Sequence, residues 1–352
     1  MVALCGAVLA IIAPATAAHG ATKTVYMGLP SAKQRVFANV GADLNAFLPG
    51  TITIHRGDKV RFLPQGFHDV DLPARGHQPA PLLTAGAAIA GATDAQGVPY
   101  WFNGSPDLQF TPVLLTSMYG RTVTYNGSKD VISGLPPSSR PKPLTVRFTK
   151  TGTFTYFCNL HPGMKAKVRV VGPKTRVPSA RADASTIKRD LAAALQDAKD
   201  LQTVALPRNT IQVGNSSASG VEIYAFYPGT LSVSVGTTIT FQMSRFSHET
   251  HTATTGPGDP LNDASSFLGK LHSSIAHPPP IDPAAVYPSD PRPGPTALTA
   301  ALHGNGFWNT GFMDATTATT LPKSSQVKIV APGTYTFYCL LHPFMKTVVT
   351  AS

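Results

Sequence analysis

The chain has 352 residues, of which only 13% are charged, while Gly and Pro number 30 and 32. That composition excludes a long-helix or coiled-coil protein and suits short strands joined by turns, and the length allows two separate cores. The formal net charge of +11 sits unevenly. Residues 1–170 carry sixteen basic against seven acidic side chains, 171–210 seven against four, and 211–352 six against seven. The basic first half is suited to an acidic partner or an anionic envelope surface. With no basic helix and no run of stacking aromatics, nucleic acid is the weaker reading, and no nucleic-acid partner is expected.

Residues 1–18 are apolar, too short to span a bilayer, and end in Ala15, Thr16, Ala17 and Ala18. They read as a signal-peptide remnant or an anchor, which places the protein outside the cytoplasm: periplasmic, cell-envelope or extracellular. Cys5 lies in that segment and follows Leu4, a poor lipidation context.

A first domain is expected over 24–172. Its strands are Thr51 to Ile54, Lys59 to Phe62, Leu144 to Phe148, Thr153 to Phe157 and Ala166 to Val171, β-branched or aromatic runs bounded by Gly, Pro or Asp. A linker over 173–207 follows. Within it Asp183 to Val204 predicts a helix, with Ile187, Leu191, Leu195, Ala198 and Leu201 on one face, packing across both domains as a spacer. A second domain over 208–352 has strands at Thr230 to Val233, Thr238 to Phe241, Gln326 to Ile329, Thr334 to Tyr338 and Thr347 to Thr350. Two long Pro/Gly-rich insertions, 72–143 and 255–325, show no clear periodicity.

The two domains read as a repeat. Phe47-Leu48-Pro49-Gly50-Thr51-Ile52-Thr53-Ile54 is echoed by Phe226-Tyr227-Pro228-Gly229-Thr230-Leu231-Ser232-Val233, and Gly152 to Cys158 by Gly333 to Cys339. Both echoes are displaced by nearly the same interval, which implies duplication of a whole domain. The expected class is all-β: two Greek-key sandwiches joined by a helical linker.

The chemistry lies in Cys158-Asn159-Leu160-His161-Pro162-Gly163-Met164 and its echo Cys339-Leu340-Leu341-His342-Pro343-Phe344-Met345. A strand ending in Cys, followed by a tight loop, returns His and Met to one side and offers thiolate, imidazole and thioether to one metal. The second imidazole must come from elsewhere: His68, after the strand containing Phe62, and His251, after the strand containing Phe241. His251 is preferred to His248 because strand-like alternation resumes after it. With the leading segment set aside, Cys158 and Cys339 each sit in their own half, as two ligands and not one disulfide. His55, His77, His272, His277 and His303 lack paired spacing and read as surface or loop residues; Met118 and Met313 read as packing.

These loops resemble the short Cys-x-x-His-Pro-x-Met form of the cupredoxins, amicyanin and plastocyanin-like proteins in particular. The resemblance covers roughly 24–172 and 208–352. It implies a Greek-key β-sandwich in each domain, one type 1 (blue) copper per domain cycling between Cu(I) and Cu(II), and electron transfer. The copper ligands would be His68, Cys158, His161 and Met164, then His251, Cys339, His342 and Met345. Many cupredoxins place Asn after the first His, where this chain has Asp69 and Thr252. A redox partner protein would dock beside exposed His loops, at Pro162, Gly163, Pro343 and Phe344. The same thiolate and thioether set suits copper storage or delivery. A copper oxidase or nitrite-reductase-like enzyme is disfavoured, since no His-x-His pair occurs and the neighbours of the two cysteines are Phe157, Asn159, Tyr338 and Leu340. A substrate copper there would have to draw on His248, His272, His277 and His303.

Overall fold

The computed structural model describes residues 20–352 apart from 139, 277–280, 292–293 and 317–318. The apolar leading segment with Cys5, and His277, lie outside the described residues.

In the N-terminal half, two five-stranded sheets face each other. One orders Phe47–Leu48, Thr22–Met27, Lys59–Pro64, Leu144–Phe148 and Thr122–Tyr125; the other orders Val131–Ile132, Asp71–Leu72, Gly152–Phe157, Lys165–Val171 and Thr51–His55. Alternation along each strand turns one set of side chains inward. Ile52, Val60, Phe62, Val146, Phe148, Tyr156 and Val168 are buried in one shared core. The C-terminal half repeats the scheme with Ile211, Val213, Ile239, Phe241, Val327, Phe337 and Val349. Its Cys-bearing sheet orders Thr230–Val233, Lys346–Ala351, Gly333–Tyr338, Thr254–Thr255 and Trp308–Asn309.

The other sheet of that half holds a strand the sequence did not reveal. Ala42–Leu44, from the N-terminal half, pairs antiparallel with Val221–Tyr227, with Leu44 opposite Val221 and Ala42 opposite Ile223. Its three residues are too few for periodicity to register, and its partner is remote in sequence.

The helix expected over Asp183 to Val204 runs from Ala180 to Asp200. The Ser179 side chain accepts from the Ala182 N–H, a better start signal than the hydrophobic pattern, and Asp183 and Lys199 complement the helix dipole at opposite ends. Its buried face of Leu191, Ala194 and Ala198 closes a core with Leu29, Phe37, Leu44, Leu48, Val221 and Ile223, drawn from both halves. Lys23 pairs with Asp183 at 2.7 Å, and Asn215 donates to the Leu201 carbonyl, so the helix is tied to each half.

The two insertions are ordered against each other. The first contributes the hairpin Leu83–Ala88 with Pro106–Phe110, and the second the helices Phe267–Ala276 and Pro283–Val286. Tyr100 and Phe102 pack with Leu268, Leu271, Phe307 and Leu340, while Trp101 Nε1 donates to the Pro288 carbonyl. No helix among the described residues is long and apolar enough to cross a membrane.

Candidate metal centres

Each Cys directly follows the central strand of its sheet, Gly152–Phe157 or Gly333–Tyr338, and the loop after it folds back on it. Cys158 N donates to the Met164 carbonyl and Met164 N to that of His161; Cys339 and Met345 repeat both bonds, at 3.1 and 2.8 Å. The loop is thereby closed on itself, with the His ring beside the thiol. Met164 and Met345 are buried in the same cores as Cys158 and Cys339.

The remaining imidazoles arrive from across each sandwich. His68, Cys158 and His161 form one cluster, and His251, Cys339 and His342 the other. Cys158 Sγ lies 3.2 Å from His161 Nδ1 and 3.9 Å from His68 Nδ1. Cys339 Sγ lies 3.6 Å from His251 Nδ1 and 3.7 Å from His342 Nδ1. All four rings thus present Nδ1 to a buried thiol. The structure brings His251, not His248, to Cys339; His248 Nδ1 instead faces the Asn45 carbonyl at 3.3 Å. His55, His77, His272 and His303 face Thr175, Asp130, Leu340 and Asp94 and belong to neither cluster.

The residue after each first His has a definite task. Asn159 N donates to Asp69 Oδ1 at 2.6 Å, and Leu340 N to Thr252 Oγ1 at 2.8 Å. Each pins the segment carrying the first His to the residue after the Cys. Thr252 N also points at Cys339 Sγ, at 3.4 Å. Burial pushes the Asp69 carboxyl up to about 6, against the hydrogen bond from Asn159.

The distal nitrogens show what the sequence reading missed. His161 Nε2 lies 3.2 Å from Glu249 Oε1, and His342 Nε2 lies 3.7 Å from Glu249 Oε2. His251 Nε2 has Glu222 Oε1 at 3.5 Å, both residues fully buried. A signal existed: Glu222 and Glu249 are the only two glutamates in the chain, and each stands in a strand-like run beside apolar or site residues.

Electrostatics separate the two clusters. Burial lowers the His68 imidazole well below its usual range, and neighbouring His161 adds to the effect. At His161 burial acts the same way but is outweighed by Glu249 and Cys158, which raise it well above that range. Burial is likewise outweighed at His251, raised to about 10 by Cys339 and Glu222. Against burial, hydrogen bonds from His251 and His342 pull the Cys339 thiol well down, whereas burial pushes Cys158 up.

The donor set suits a metal. Two imidazoles and a thiolate with a thioether nearby are soft and borderline donors, matching copper better than a hard cation. Carboxylates behind three of the four rings are the outer partners that ligating histidines characteristically use to fix tautomer and orientation.

The expectation of exposed His loops meets a difference between the halves. His161 is 8% exposed and Pro162 is buried, because the first loop abuts the C-terminal half: a Cβ on Gly163 would stand 3.2 Å from His248 Cδ2. In the second loop Pro343 is buried, but Phe344 is 57% exposed beside His342.

No protein-family profile and no curated protein sequence matches the chain. Solved cupredoxins are similar to part of it. Reduced auracyanin from Roseiflexus castenholzii is 21% identical over 41% of this chain and 94% of its own, with a TM-score of 0.24. A purple cupredoxin from Nitrosopumilus maritimus is 15% identical over 41% and 98%, TM-score 0.21. Oxidised plastocyanin from Dryopteris crassirhizoma is 21% identical over 41% and 99%, TM-score 0.20.

Proposed function

We propose that this is an exported electron-transfer protein of two tandem Greek-key domains, over 24–172 and 208–352, each holding one type 1 copper. One observation carries the reading: in both halves two Nδ1 atoms converge on a buried cysteine whose loop returns a buried Met. His68, Cys158, His161 and Met164 would hold the first copper, and His251, Cys339, His342 and Met345 the second. Copper in such a set supplies a one-electron couple with little rearrangement between oxidation states. The chain's own residues keep water from the thiolates, hold the Cys loops through Asp69 and Thr252 and three of the four rings through Glu222 and Glu249, and leave Phe344 at an open edge. That edge, Phe344 beside the partly exposed His342, is where a redox partner protein would dock, with the basic N-terminal half steering an acidic one.

Metal analysis with visible and EPR spectra on wild type, Cys158→Ser and Cys339→Ser tests the reading. Wild type is expected to bind two coppers with the intense blue thiolate absorption, and each variant to lose one. Two colourless, EPR-silent coppers lost readily to a chelator would favour storage or delivery instead.

A further inference from the structure

Glu249 is a buried carboxylate with an unusual set of neighbours. Its Oε1 accepts from Asn45 Nδ2 at 2.8 Å and from the Tyr224 hydroxyl at 2.6 Å, and faces His161 Nε2 at 3.2 Å. Its Oε2 faces His342 Nε2 at 3.7 Å. Asn45 and His161 come from the N-terminal half; Tyr224, Glu249 and His342 come from the C-terminal half. Neither half builds this arrangement alone.

We propose that Glu249 is a positioning residue shared by both centres, which orients His161 and His342 together and sets the redox balance of both coppers at once. The inference rests on the copper reading above. An anion at the distal nitrogen makes the imidazole a stronger donor through its other nitrogen, which favours the more positive oxidation state of the bound metal. In a buried setting the same charge also acts on each centre with little screening. Because one carboxylate serves both rings, a single neutral substitution should move both centres in the same direction. Glu222 offers the contrast, since among the described residues its only site partner is His251, in the second cluster.

The test is spectroelectrochemical titration of the copper-loaded full chain, comparing wild type with Glu249→Gln, Glu249→Asp and Glu222→Gln. Cys158→Ser and Cys339→Ser backgrounds identify the two waves. Glu249→Gln should shift the oxidised-to-reduced ratio of both centres toward the reduced form by tenfold or more, which for one electron is about 59 mV. Glu222→Gln should shift the second centre only. Glu249→Asp keeps the charge and should recover part of both shifts, which guards against a fold defect in the Gln variant. As a readout independent of potential, 15N spectra of the Cu(I)-loaded protein should show the Nε2 resonances of both His161 and His342 moving in Glu249→Asp. If two blue coppers are present but Glu249→Gln moves one centre or neither, the shared role of Glu249 is overturned while the copper reading stands. If wild type fails to bind two blue coppers, both fall together.

Discussion

At the scale of single residues, each site is shaped as much by what is small as by what binds. Gly28 has φ +88, and a Cβ there would overlap His68 Nε2; Gly214 has φ +71, and a Cβ would stand 2.9 Å from His251 Nε2 and 2.6 Å from Glu222 Oε1. The two glycines thus make room for the first histidine of each cluster. Gly28→Ala is expected to abolish copper binding at the first centre and leave the second intact, which metal analysis and the EPR intensity per chain would read out. Loss of both centres, or of neither, would contradict this role. The Cys and His that the structure clusters in each loop could be read from sequence because a seven-residue spacing encodes a local turn. His68 and His251 were readable only through their place after a strand. The carboxylates at the distal nitrogens were not, because nothing local links Glu249 to His161, 88 positions away in the chain and brought to it only by the packing of the two halves.

At the scale of elements, the helix Ala180–Asp200 does more than separate the halves. Leu191 is buried in a core to which Phe37 and Leu44 contribute from one side and Val221 and Ile223 from the other. Leu191→Ala removes a large buried side chain and should cost about 2–5 kcal/mol of unfolding free energy, measured by denaturant titration with copper absent so that metal linkage does not mask the loss. A change below about 0.5 kcal/mol would mean that the helix face is dispensable. The sequence revealed this helix through its 3.6-residue period and displaced it by a few residues, since the start is set by the Ser179 cap and not by the apolar stripe. The strands flanking each site were equally readable, as β-branched or aromatic runs bounded by Gly, Pro or Asp. The insertions were not, because their order comes from one packing on the other: Phe102 finds Tyr287 at 5.4 Å between ring centroids, and neither surrounding segment carries a periodic pattern of its own.

At the scale of the whole molecule, the halves share a strand, a helix-capped core, interlocked insertions and a buried carboxylate. The C-terminal half expressed alone, from residue 208, would lose Ala42–Leu44 from the edge of its sheet and expose Val221 and Ile223. It should therefore be aggregation-prone, with a thermal midpoint well below that of the full chain. Co-expression with residues 20–207 should restore solubility, and a stable monomeric fragment equal to the full chain in midpoint would refute this.

The shared strand also orders events during synthesis. Ala42–Leu44 is made long before Val221–Tyr227 exists, so the nascent N-terminal half carries an unmatched backbone edge and a bare apolar patch until nearly two hundred further residues have emerged. Such distant pairing is slow because a long loop must close before any contact rewards it. Until then the waiting edge needs protection from neighbouring chains on the way to the folded state.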